Sequence, residues 1–172
     1  MANWFSKLFR GDDGQAELRP LWHRVVELAR EPGWYSKGGI ADTVPGRFDA
    51  ISLVLALVLL RMEREPDLIG PSARLTELFV TDMEGQLRQS GIGDPTLGKQ
   101  MGKLMSTLGG RIGAYREGLA AEDNSVLSAA VARNVSLIDG ADPAHVAAEI
   151  RVLAGELEGL TSAQLLAGEI VR

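Results

Sequence analysis

From Leu97 to Leu119 apolar side chains recur every three or four residues, and nowhere does the chain alternate apolar with polar residues over a strand-length run. Leu97, Met101, Leu104, Met105, Leu108, Ile112, Tyr115 and Leu119 make a narrow helical stripe. A period near 3.6 cannot be laid in a sheet, whose side chains change face at every residue. The pattern therefore predicts an all-α fold: a single compact helical domain of about six or seven helices, with no β-sheet.

The other segments read the same way. Leu18 to Arg30 places Leu21, Trp22, Val25, Leu28 and Ala29 on one face, with Pro20 in the first turn. Glu31-Pro32-Gly33 stops that helix, and a turn-rich loop is expected as far as Pro45. Gly46 to Glu65 reads as a long apolar helix closed by Pro66, and Ser72 as the cap of the next, which carries Leu75, Leu78, Phe79, Met83 and Leu87. Gly91-Ile92-Gly93 breaks the chain, and Asp94-Pro95 restarts it with a cap and a proline. The glycines at 98, 102, 109, 110, 113 and 118 disfavour a helix interior, which suggests close approach of a neighbouring helix or a kink near Gly109-Gly110. Asp123 is expected to cap a helix reaching about Ile138. Asp142-Pro143 starts another, with Val146, Ile150, Leu153 and Leu157 as its seam, and Thr161 with Gln164 forms a capping box for a short last helix.

Charge divides the chain. Residues 1–119 are balanced, and residues 120–172 carry the whole net charge of −5. The expected organisation is a short amphipathic segment over 1–17, a helical core over 18–119 and an acidic helical extension over 120–172 packed on that core. An acidic chain gives no reason to expect specific nucleic-acid binding. The opening MANWFSKLFR is too polar for a signal peptide, and the apolar stretch Ala50–Leu60 is far short of the ~20 residues of a membrane span. A cytoplasmic protein is expected, peripheral at most at the inner membrane face. Trp4, Phe5, Leu8 and Phe9 share a helical face that could supply that contact or dock on the protein's own core.

Little here resembles chemistry. Cysteine is absent, which removes thiol catalysis and cysteine-based metal sites. Gly93 to Lys99 matches the start of a phosphate-binding loop. However, Gln100 stands where a hydroxyl should meet Mg²⁺, and Asp94-Pro95 sets an anion and a missing N–H where donors are needed. His23 and His145 have no ligand partner at helical spacing. Asp42, Asp49, Asp82, Glu84 and Asp94 read as caps and ion-pair partners rather than as acids with raised pKa. No nucleophile, base and oxyanion donor converge, so neither enzyme activity nor a cofactor or metal is expected.

Two segments resemble the ubiquinol–cytochrome c chaperone family, whose members assist cytochrome b assembly in the bc1 complex. The first runs Ala29-Arg30-Glu31-Pro32-Gly33-Trp34-Tyr35 and then Gly39-Ile40-Ala41-Asp42-Thr43-Val44-Pro45-Gly46-Arg47-Phe48-Asp49. The second runs Phe79-Val80-Thr81-Asp82-Met83, then Leu87-Arg88-Gln89-Ser90-Gly91-Ile92-Gly93-Asp94, then Gly98-Lys99. Arg111 and Tyr115 match a later Gly-Arg-x-x-x-Tyr. The resemblance covers about residues 20–119, and residues 120–172 are expected to fall outside it.

The resemblance implies a chaperone for newly made cytochrome b, with room for a second assembly factor. A generic α-helical adaptor without a membrane-protein client is the alternative. The candidate site residues are Asp42, Thr43, Gly46, Arg47, Phe48 and Asp49 in the first motif loop, and Asp82, Leu87, Arg88, Gly91, Gly93, Asp94 and Lys99 around the second. Arg47 with Asp49, and Arg88 with Asp82 or Asp94, are expected as ion pairs fixing the two loops against one another. Met83, Met101 and Met105 are candidates to line an adaptable client groove. Lys99, Lys103, Arg111 and Arg116 are candidates to meet acidic or phosphate-rich partners.

Overall fold

The computed structural model describes residues 14–172, so the aromatic face of Trp4, Phe5, Leu8 and Phe9 lies outside the described residues. Among these residues there are six α-helices of ten residues or more and two of five. They are α1 (Arg19–Ala29), α2 (Pro32–Ser36), α3 (Val44–Met62), α4 (Ile69–Gln89), α5 (Asp94–Ala120), α6 (Ser125–Asn134), α7 (Pro143–Glu158) and α8 (Ser162–Leu166). A single turn of 3₁₀ helix, Pro66–Leu68, leads into α4. Extended pairing among the described residues is limited to one antiparallel bridge, Ile40 with Leu137.

α3 is the axis of the fold. Every residue from Ser52 to Val58 is buried, because α1, α4, α5 and α7 surround it. A helix enclosed on all sides must be apolar on all sides, which is why this stretch shows no polar stripe. Its one buried hydroxyl, on Ser52, donates to the Phe48 carbonyl a turn earlier at 2.9 Å. One apolar cluster takes side chains from Leu18 to Ile170, including Leu127, Val131, Val146, Ile150, Leu153 and Leu157. Arg151 of α7 completes the far end of α5: its guanidinium donates to the carbonyls of Gly118, Leu119, Ala121 and Asp123. A cation there satisfies the open carbonyls of a helix C-terminus and opposes its partial negative charge.

Several boundaries differ from the expected ones. Glu31-Pro32-Gly33 ends α1, but Pro32 then opens α2 inside the expected loop, since proline suits a first helical position. α3 begins at Val44 rather than Gly46, with Thr43 as its cap, and stops at Met62. Ser72 is not a cap; it lies inside α4 and donates to the Ile69 carbonyl. Asp94 is the first residue of α5, with Gly93 as the cap position. Asp123 does accept from the Ser125 backbone, yet α6 stops at Asn134, and the residues towards Ile138 are extended. Asp142 and the Thr161–Gln164 box cap their helices as the spacing predicts.

The α5 glycines divide by environment. A methyl group at Gly98, Gly102, Gly109, Gly110 or Gly113 would meet nothing within 4 Å, whereas at Gly118 it would lie 2.7 Å from the Leu127 side chain. Close helix approach is therefore confined to Gly118, against α6, and the helix runs unbroken through Gly109-Gly110. Gly102→Ala or Gly109→Ala is expected to raise stability by up to ~1 kcal/mol, or roughly 2–4 °C in Tm. Gly118→Ala is expected to lower it. Thermal unfolding of the three variants distinguishes these outcomes.

Candidate binding groove

The ends of α1 and α4, together with α2, the loop after it and the start of α3, enclose a groove of ≈ 870 Å³. Its lining is mostly apolar: Ala29, Pro32, Tyr35, Ile40, Val44, Phe48, Ile51 and Ile138. Arg30, Asp42, Arg47 and Gln86 bring polar groups to it. Two large aliphatic side chains of the groove stand open to solvent, Val44 at 76% and Ile138 at 55% exposure.

The turn into α3 shapes this rim. Thr43 Oγ1 accepts from the Gly46 N–H at 3.2 Å, closing the N-terminus of the helix. Gly46 is there because the carbonyl oxygen of Ala41 occupies the space of a side chain; a Cβ would lie 1.8 Å from it. Arg47 Nε donates to Asp42 at 2.7 Å across the turn, and this bond holds the Asp42 carboxyl below its usual range. Both side chains are exposed, so the pair shapes the rim without anchoring the fold. Tyr35 donates to the Ala29 carbonyl at 2.9 Å; burial, then the Asp42 charge, push its phenol upward.

Asp49 points the other way, into the protein. Its Oδ1 accepts from Arg111 Nη2 of α5 at 2.5 Å, and its Oδ2 from the backbone N–H and hydroxyl of Ser136 at 2.8 and 2.7 Å. Arg111 Nη2 also donates to the Asn134 carbonyl at 2.8 Å. The expected Arg47–Asp49 pair is therefore absent. Residues two apart on a helix do not face each other, and each takes a different partner. Tyr115, one turn beyond Arg111, is fully buried, and burial pushes its phenol up to about 12.

The second motif loop does not join the groove; only Gln86 from that end of α4 reaches it. Asp82 accepts from the indole N–H of Trp22, which stacks edge-on to Phe79 with ring centroids 6.0 Å apart, and it makes no pair with Arg88. Arg88 does form the expected pair with Asp94, at 2.7 Å, and a second with Glu84 a turn back, bracing its own turn. Gly91 takes φ +84, the left-handed conformation that ends α4, and Leu87 is half-buried beneath it. Gly93 and Lys99 are exposed. Neither expected ion pair ties one loop to the other.

Two other expectations also change. Met83 is a core residue, Met101 packs half-buried on the core, and Met105 is exposed; none lines the groove. Arg111 is buried with Asp49, and Arg116 pairs with Glu63, so neither is the open cation expected on α5. The groove residues not read from the sequence are Ser36, Ile51, Gln86 and Ile138. Ile138 sits in the segment taken for the end of a helix, where Val135-Ser136-Leu137-Ile138 is the available strand-like signal.

A family model described as ubiquinol-cytochrome C chaperone matches residues 36–172. The chain belongs to the ubiquinol–cytochrome c chaperone family. The match runs through residues 120–172, so the resemblance does not end near residue 119 as expected. The crystal structure of the Cbp3 homolog from Brucella abortus is similar over 96% of this chain and 94% of that one, at 31% identity and a TM-score of 0.79. No curated protein sequence matches the chain significantly. Within this chaperone-family chain, no described helix is long and apolar enough to cross a membrane. Nor, among the described residues, do three or more His, Asp or Glu gather as metal ligands.

Proposed function

We propose that this chaperone holds newly made cytochrome b during assembly of the ubiquinol–cytochrome c reductase complex, and that the groove at the first motif loop takes an apolar segment of that client. The observation that carries the reading is the coincidence of motif and cavity. Ala29, Arg30, Pro32, Tyr35, Ile40, Asp42, Val44, Arg47 and Phe48 all belong to the first motif, and all line the groove.

The chemistry suits holding rather than reacting. Val44 and Ile138 leave apolar surface in water that a client segment would cover, at roughly 1.5–3 kcal/mol for each fully buried aliphatic side chain. A few such anchors give binding that is specific yet releasable, as a hand-over to the next assembly step requires. The groove's volume falls within the range that takes a few side chains of a ligand. Asp42 and Arg47 at the rim satisfy one another and leave no activated nucleophile or base.

Val44→Asp with Ile138→Asp tests the reading. Both positions are exposed, so the fold should tolerate the change within ~0.5 kcal/mol each. Each carboxylate would meet an apolar client segment and must be desolvated to be covered. Recovery of this protein with tagged cytochrome b from cells should fall by about tenfold or more. Undiminished recovery from a correctly folded double variant would exclude the groove as the client site.

A further inference from the structure

We propose that Asp49 and Arg111 are positioning residues for the groove: together they fix residues 134–138 so that Ile138 is held as part of its lining. The inference rests on the groove being the client site.

The segment after α6 is seated by two apolar side chains, Val135 buried in the core and Leu137 packed half-buried against it, while Ile138 stands exposed beyond them. It meets the loop after α2 through one antiparallel bridge, with Ala41 N–H donating to the Ser136 carbonyl and Ile138 N–H to the Gly39 carbonyl, both at 2.8 Å. Two backbone bonds make a marginal pairing in water. Asp49 adds two bonds to Ser136, and Arg111 adds one to the Asn134 carbonyl. These bonds are well shielded: the side chains of Arg111 and Asp49 are only 9% and 13% exposed. The pair thus grips Asn134, the last residue of α6, and Ser136 in the extended segment, and Ile138 follows two residues later. Asp49 sits in the motif that lines the groove, yet it is not itself among the lining residues. Its link to binding runs through this segment.

The absence of cysteine allows a direct measurement. Spin labels at Val44→Cys and Ile138→Cys, two exposed positions of the groove, report the position of the segment. They are read in the native background and in Asp49→Leu/Arg111→Met. Replacing a buried pair by apolar side chains of similar volume often leaves stability intact, so cooperative unfolding should persist. The label–label distance distribution should broaden by about twofold, and recovery of unlabelled protein with tagged cytochrome b should fall by roughly fivefold, as expected if Ile138 is in place only a fifth of the time. Arg111→Lys serves if the apolar pair does not fold. It keeps a charge for Asp49, but its ammonium sits on a shorter side chain and is not expected to reach both Asp49 and the Asn134 carbonyl, as Arg111 Nη2 does.

A narrow distribution and full recovery in these variants would overturn the positioning role. If recovery is lost in Ile138→Asp but retained in the Arg111 variants, the positioning role falls and the groove reading stands. A broadened distribution with recovery undiminished even in Ile138→Asp removes the groove reading and leaves Asp49 and Arg111 as anchors of the segment alone.

Discussion

Asp49→Ala is expected to destabilise the protein by about 3–5 kcal/mol, the range for removing one partner of a buried ion pair. The carboxylate accepts from Arg111 and twice from Ser136, and its removal leaves all three donors without it. Arg111 would keep its charge in a site where the residue is 7% exposed, with only the Asn134 carbonyl still bonded to it. The corresponding fall in Tm is roughly 6–20 °C for a chain of this size. Asp42→Ala is the matched control, because Asp42 is a carboxylate of the same motif paired with an arginine in solvent. It should leave the unfolding temperature unchanged. Thermal unfolding of the two variants side by side decides the matter: equal midpoints would mean that Asp49 is as dispensable as a surface charge.

That contrast also marks where the sequence stops being readable. The helix faces were legible because burial follows a period: Val146, Ile150, Leu153 and Leu157 are buried as their spacing predicts. The caps at Asp142 and Thr161 were legible because their partners lie within three residues, whereas Ser72 and Asp94, also capping residue types, lie inside their helices. The long-range pairs were not. Asp49 and Arg111 are separated by sixty-two positions, and nothing in their local sequence distinguishes them from the neighbouring Arg47 and Asp42. Short-range charge matching therefore offered Arg47 to Asp49, and helix geometry turned the two apart. The groove was hidden for a related reason. Its motif half is contiguous in sequence, but Gln86 and Ile138 arrive from a different helix and from a segment whose extended form is set by the bonds from Ile138 to Gly39 and from Ala41 to Ser136.

Gly46→Ala should remove about 3 kcal/mol of stability, at the upper end of what an overpacked site costs, and lower the Tm by roughly 6–12 °C. The reason is that the atom in the way is backbone. A methyl group at residue 46 would sit 1.8 Å from the Ala41 carbonyl oxygen and 2.9 Å from its carbonyl carbon. That carbonyl cannot simply retreat, because it accepts from the Thr43 N–H while the Ala41 N–H donates to Ser136, both at 2.8 Å. Either the loop gives up these bonds or α3 shifts and loses its Thr43 cap, itself worth about 1 kcal/mol. Gly33→Ala in α2 is the control, since a methyl group there meets nothing within 4 Å. It should unfold no earlier than the parent chain. Because Val44 and Phe48 flank Gly46 on the same turn and both line the groove, the damage should extend to the client. Recovery with tagged cytochrome b should fall for Gly46→Ala even well below its lowered unfolding temperature, and stay whole for Gly33→Ala. An unfolding temperature for Gly46→Ala equal to that of Gly33→Ala would show that the loop moves freely against α3, and that this close contact does not shape the groove.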